Sequence, residues 1–148
     1  MIDHITLHVS EVGRSLEFYT RLLAPLGYIP KVRHGETVGF GANDGTPRSD
    51  FYLSPRPASV EPSPQAAAPE QPSPVTHIAF RADDESSVRR FHQAGIAAGG
   101  KDNGEAGPRD YHPGYYAAFI VDPDGNNIEA VVDWSHHATS PAASPRDS

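Results

Sequence analysis

The chain contains no cysteine in 148 residues. That absence excludes disulfides, thiolate metal sites and thiol nucleophiles together, so any metal must be held by His, Asp, Glu or Tyr. Positive charge is also scarce: 12 Lys and Arg face 19 Asp and Glu, giving a net charge of -7 and a pI near 5.5. The few basic residues are scattered, which argues against nucleic acid or an anionic membrane surface as a partner. No stretch approaches the roughly 18 apolar residues that span a bilayer. No basic segment followed by an apolar run opens the chain, so a cytoplasmic location is the expectation.

Proline is plentiful but concentrated. Residues 55–74, "PRPASVEPSPQAAAPEQPSP", are so rich in Pro, Ala, Ser and Gln that neither helix nor strand propagates, and they read as a linker. The tail over 135–148 has the same character and reads as disordered. One domain over residues 1–134 is expected, in two blocks, 1–54 and 75–134, either of which alone is short for a separate core.

The blocks repeat one another. "IDHITLHVSEVGRSLEFYTRLLAPLGY" aligns without a gap on "VTHIAFRADDESSVRRFHQAGIAAGGK", placing His4 on His77, Ile5 on Ile78, Phe18 on Phe91, Ala24 on Ala97 and Gly27 on Gly100. In a strand, residues two apart share a face. His4, Thr6 and His8 therefore point one way while Ile5, Leu7 and Val9 point the other. A helix follows, with Ser10 as its expected N-cap and Val12, Leu16, Tyr19 and Leu23 at helical spacing, and Pro25 and Gly27 stop it. In the second block Asp83 or Asp84 caps a helix that Gly99 and Gly100 end. The extended runs "YIPKVRH", "TVGFGAND" and "SDFYLS" come next in the first block, and "YYAAFIV" and "NNIEAVVDW" in the second, the last two joined by the tight turn "DPDGNN". Both blocks read as β-α-β-β-β modules, an α+β fold class.

Three stretches, "DHITLHVSEVGRSLEFY", "THIAF" and "DPDGNNIEAV", resemble the vicinal oxygen chelate superfamily of glyoxalase I, bleomycin-resistance proteins and extradiol dioxygenases. The resemblance spans residues 1–134 and implies two tandem β-α-β-β-β modules curled into an open barrel around a metal site. Carried over residue by residue, it implies metal ligands at His4, His77 and Glu129. Two neutral imidazoles and one carboxylate leave a divalent ion with a net charge of about +1 and open positions for substrate, a pattern that suits Fe, Mn, Ni or Zn.

Glyoxalase I members carry a fourth ligand, Glu or Gln, on the last strand of module one. The repeat places Tyr52 there, with Asp50 as the alternative if the register differs by two. A phenol is a poor neutral ligand, so Tyr52 is expected to bond substrate or act as acid or base. The stretch "PRDYHPGYYAAF" adds a candidate catalytic His112 and candidate substrate-binding Arg109, Tyr111, Tyr115 and Tyr116; His8 is a further substrate-binding candidate. A loop whose tyrosines only cover the barrel end would look the same. The expected function is a metalloenzyme of the glyoxalase or dioxygenase type, with the cation chelating adjacent oxygens of a small-molecule substrate for lyase, isomerase or ring-cleaving chemistry. Glu129 doubles as a catalytic residue in that scheme. The alternative is a metal-free binding protein of the bleomycin-resistance type. Such sites are built within one chain or across a homodimer, and both stay open at the level of sequence.

Overall fold

The computed structural model describes residues 1–57, 75–111 and 113–133. Most of the expected linker, the expected tail and His112 therefore lie outside the described residues. Module one runs β1 (Ile5–Val9), α1 (Val12–Leu23), a 3-10 turn (Ala24–Leu26), β2 (Tyr28–His34), β3 (Thr37–Ala42) and β4 (Phe51–Pro55). Module two runs β5 (His77–Arg81), α2 (Glu85–Ala97), β6 (Lys101–Pro108), β7 (Tyr116–Val121) and β8 (Asn127–Val132). Each forms its own four-stranded sheet, in the orders β1-β4-β3-β2 and β5-β8-β7-β6. The first and last strands of each module pair in parallel, and the remaining pairs are antiparallel.

Local chemistry explains the boundaries. Asp84 caps α2 by accepting from Ser87 N at 2.7 Å, one of the two expected residues. In α1 the cap is Glu11, whose carboxylate accepts from Gly13 N and Arg14 N, and not the expected Ser10. Ser10 has a stronger partner elsewhere: its backbone N and hydroxyl both donate to Asp124 of the "DPDGNN" turn. Gly27 closes the first helical segment at φ +78, a left-handed position that favours glycine.

Strand β6 has no counterpart among the extended runs named from sequence. Its residues, "KDNGEAGP", are poor strand formers. Pairing with β7 holds them extended despite register shifts between Asp102 and Gly104 and between Gly104 and Gly107. Tertiary pairing overrides local propensity at this edge.

The two modules share one core. Leu7, Val9, Phe51 and Leu53 of the first sheet and Phe80, Ile120, Ile128 and Ala130 of the second pack in a single buried cluster with Phe18, Tyr19 and Leu22 of α1 and Val88 and Phe91 of α2. Phe80 crosses the boundary, edge-on to Phe51 at 5.2 Å and to Tyr28 at 5.7 Å. Polar anchors accompany it. Buried Tyr19 donates to Asp122 Oδ2 at 2.6 Å, and burial together with that carboxylate pushes its phenol well above the usual range. Asp124 gathers Ser10 and stands 3.7 Å from both Arg14 and Arg56. With one face of each sheet committed to this core, the face bearing His4 and the face bearing His77 both lie away from it.

Candidate functional site

The strand registers test the repeat directly. Thr6 lies opposite Tyr52, and Ala79, 73 positions after Thr6, lies opposite Glu129. Tyr52 is thus the structural counterpart of Glu129, and the expected match of "FYL" to "IEA" holds.

On the open face of module one, His4 Nδ1 meets Asp3 Oδ1 at 2.8 Å, and its ring stands edge-on to Tyr52 with centroids 5.4 Å apart. Gly39 makes room for the phenol, because a Cβ there would fall 2.6 Å from Tyr52 Cε1. Asp50 accepts from Tyr28 OH at 2.9 Å, on the ring that packs into the core. Burial and that bond push Tyr28 up to about 12. His8 is exposed farther along β1, opposite Ser54.

The open face of module two is more densely built. His77 Nε2 lies 3.0 Å from Glu129 Oε2, and the carboxylate side chain is only 4% exposed. Tyr115 donates its hydroxyl to Glu129 Oε1 at 2.5 Å; burial first and then this carboxylate raise the phenol far above its ordinary value. On its other side His77 Nδ1 stands 3.1 Å from the Asn127 carbonyl and 2.9 Å from Asn127 Nδ2. Phe119 stacks on the imidazole at 6.2 Å, and the Arg109 guanidinium lies over the Phe119 ring, 5.4 Å from its centre. Arg109 is pinned there by the carbonyls of Glu105, Gly107 and Pro108. Tyr111 is exposed and meets Tyr115 edge-on at 5.0 Å. Tyr116 points to the helix side, where Arg89 donates to its hydroxyl at 3.1 Å.

His77 and Glu129 are therefore brought together, with Tyr115 beside them, while His4 and Tyr52 form a separate pair. Among the described residues no cluster of three or more His, Cys, Asp or Glu could hold a metal ion. The donor chemistry of the second pair nonetheless fits a divalent cation. An imidazole nitrogen and a carboxylate oxygen are both ligands for divalent metals, and these two stand side by side, 3.0 Å apart. A carboxylate this buried also calls for a positive partner.

Asn127 and Phe119 were not singled out from sequence, although both lie at strand positions sharing a face with Glu129 or His77, a signal that alternation carries. Asn103, which donates to Asn127 Oδ1 at 3.0 Å across β7, had no such signal, because β6 itself was not visible.

The model of the Glyoxalase/Bleomycin resistance protein/Dioxygenase superfamily matches residues 1–130. A search of curated proteins found no match. Among solved structures, a glyoxalase/bleomycin resistance protein from Albidiferax ferrireducens T118 is 29% identical at a TM-score of 0.66, covering 86% of this chain and 95% of that one. A glyoxalase/bleomycin resistance protein/dioxygenase family enzyme from Burkholderia phytofirmans PsJN is 18% identical at 0.62, covering 88% and 96%. A lactoylglutathione lyase from Agrobacterium tumefaciens is 21% identical at 0.56, covering 88% and 92%. The last two bear on fold alone. The paired modules, their registers and the family match together establish that the chain belongs to the glyoxalase/bleomycin resistance protein/dioxygenase superfamily.

Proposed function

We propose that the protein is a small metal-dependent enzyme of the glyoxalase and dioxygenase kind, with a divalent cation held by His77 and Glu129 of one chain and His4 of a second copy. The observation that carries this reading is the 3.0 Å separation of His77 Nε2 and Glu129 Oε2 on an open sheet face. Fe, Mn, Ni and Zn all suit such a donor set.

The second copy follows from where the halves lie. β1 and β5 are both outer strands of their sheets, each with one unpaired edge, and such edges call for cover. A twofold dimer that sets β1 of one chain beside β5 of the other would join His4 to His77 twice over and cap both edges. Ile2 and Val75, 73 positions apart and 80% and 68% exposed, precede the two histidines and would be covered by the same contact.

When bound, the cation would supply Lewis acidity to adjacent oxygens of a small organic substrate. The chain's own residues supply the surroundings. Phe119, Tyr115 and Tyr111 form an aromatic wall that excludes water and gives a substrate something to pack on. Glu129, oriented by Tyr115, is placed to take a proton, and Tyr52 brings a phenol to the His4 side as donor. A cavity of about 420 Å³, lined by Arg109, Tyr115, Tyr116 and Glu85, opens on the helix side of this wall, where the remote end of a substrate would rest; His8 and His112 stay candidate groups for substrate in this reading. The reaction is lyase, isomerase or ring-cleaving dioxygenase chemistry.

Elemental analysis of untagged protein, before and after reconstitution with Fe(II), Mn(II), Ni(II) and Zn(II), tests the reading in the parent and in Glu129→Ala. Near-stoichiometric metal in the parent, lost in the variant, and a dimer by sedimentation are expected. No bound metal under any condition would overturn the enzyme reading, and a metal-loaded monomer would overturn the shared site.

A further inference from the structure

Behind His77 stand two side-chain amides in series, an arrangement that ligand counting leaves unused. Asn103 Nδ2 donates to Asn127 Oδ1 at 3.0 Å, and Asn127 Nδ2 faces His77 Nδ1 at 2.9 Å. A carboxamide has one acceptor end and one donor end. With its oxygen engaged by Asn103, Asn127 presents only N–H to the ring. Asn103 in turn is held by the irregularity of β6: the register slips between Asp102 and Gly104, Asp102 accepts from Gly104 N at 2.9 Å, and His92 of α2 ties the same carboxylate at 2.9 Å. A ring nitrogen that accepts carries no hydrogen. Of the two groups at Nδ1 the amide N–H is the nearer, 2.9 Å against 3.1 Å for the carbonyl, which favours a neutral His77 with its hydrogen on Nε2, in the 3.0 Å contact with Glu129.

We propose that Asn103 and Asn127 are positioning residues that set the tautomer of His77, keeping the metal-free site closed on a Nε2–H···Glu129 bond and so opposing its loading. The loading half of this inference rests on the cation reading above. A coordinating Nε2 must offer a lone pair, which places the ring hydrogen on Nδ1. The hydrogen on Nε2 leaves to solvent and one from solvent joins Nδ1, so the ring stays neutral. The Asn127 carbonyl, 3.1 Å from Nδ1, is in place to accept it. The Asn127 amide then sets N–H against N–H, and it must turn away and release Asn103. The side-chain amides favour the empty tautomer and the backbone carbonyl favours the filled one.

The test begins with metal-free protein labelled with ¹⁵N at histidine, since long-range ¹H–¹⁵N correlation separates the two neutral tautomers without metal or turnover. The parent is expected to show Nε2–H at His77. Asn127→Asp, whose carboxylate accepts from Asn103 and from the ring together, is expected to show Nδ1–H. Zn(II) affinity, measured by competition with a chromophoric chelator, should tighten about three- to tenfold in Asn103→Ala, the worth of one neutral hydrogen bond. A residue that merely props the site would weaken binding when removed. Nδ1–H in the parent, or unchanged or weaker Zn(II) binding in Asn103→Ala, overturns the proposal. If Asn103→Ala fails to fold, the parent and Asn127→Asp spectra decide it. Nε2–H in a parent that binds no Zn(II) supports the tautomer assignment and overturns the cation reading instead.

Discussion

The two modules share a strand order, a register and a histidine at the same position, yet their open faces differ in chemistry. In module two the histidine meets an amide chain and a buried carboxylate that a phenol holds in turn. In module one its counterpart meets, among the described residues, Asp3 and the edge of Tyr52. Both faces even use glycine alike: a Cβ at Gly39 would strike Tyr52, and one at Gly104, at φ +149, would strike the Phe119 ring. Duplication preserved the scaffold while the side chains on the unburied face were free to diverge. The buried faces differ too, Leu7 against Phe80 and Val9 against Ala82, but those residues all stay packed in one core.

The sharpest way to break the comparison is to remove the matched pair of residues in turn. Glu129→Ala should weaken metal binding by more than about 100-fold, exceeding the loss typical of an outer-shell partner, whereas Tyr52→Phe should leave metal content intact and lower turnover. Elemental analysis alongside single-substrate kinetics distinguishes the two; loss of metal in Tyr52→Phe would make the phenol a ligand. Next in size are Leu53→Ala and Ile128→Ala, one in each sheet. Each should cost about 2–5 kcal/mol, and chemical denaturation should show one cooperative transition in both, because the modules share a core. Two separate transitions would make the modules independent.

Tyr115→Phe removes the hydroxyl that orients Glu129, and metal affinity should fall by about 10-fold or more. The equivalent change at Tyr28, whose hydroxyl bonds Asp50 and not Glu129, should leave metal affinity alone. Tyr28 supplies the smallest effect, in alkaline stability. Its folded pKa, about 12 and raised chiefly by burial, lies above the unfolded value near 10. The stability it contributes is whole below about pH 10 and is lost as pH rises toward 12. Tyr28→Phe should flatten that decline in a pH series of denaturation curves.

Much of this was legible from residues alone, for identifiable reasons. Alternation in "IDHITLHV" placed His4 and His8 opposite Leu7 and Val9, and burial follows it. The 73-residue repeat placed Tyr52 against Glu129, and the backbone pairing agrees. Two things escaped. Ser10 looked like a cap, but its hydroxyl answers to a residue 114 positions away, which no local pattern reports. Strand β6 is a strand because β7 lies beside it, and with it went Asn103. The repeat set His4 and His77 at equivalent strand positions, and both lie on sheet faces away from the shared core.

The union of Ser10 with Asp124 bears on how the chain holds together. Asp124 is nearly inaccessible, at 5%, and binds the end of β1 beside two arginines. With Tyr19 on Asp122 and Phe80 between Phe51 and Tyr28, it fastens the halves without help from the peptide bonds that join them. The covalent connection is then redundant for recognition between halves. Two polypeptides, 1–57 and 75–148, mixed in equal amounts should find one another and fold as a fragment pair, and a break introduced between them should separate continuity of the chain from integrity of the fold.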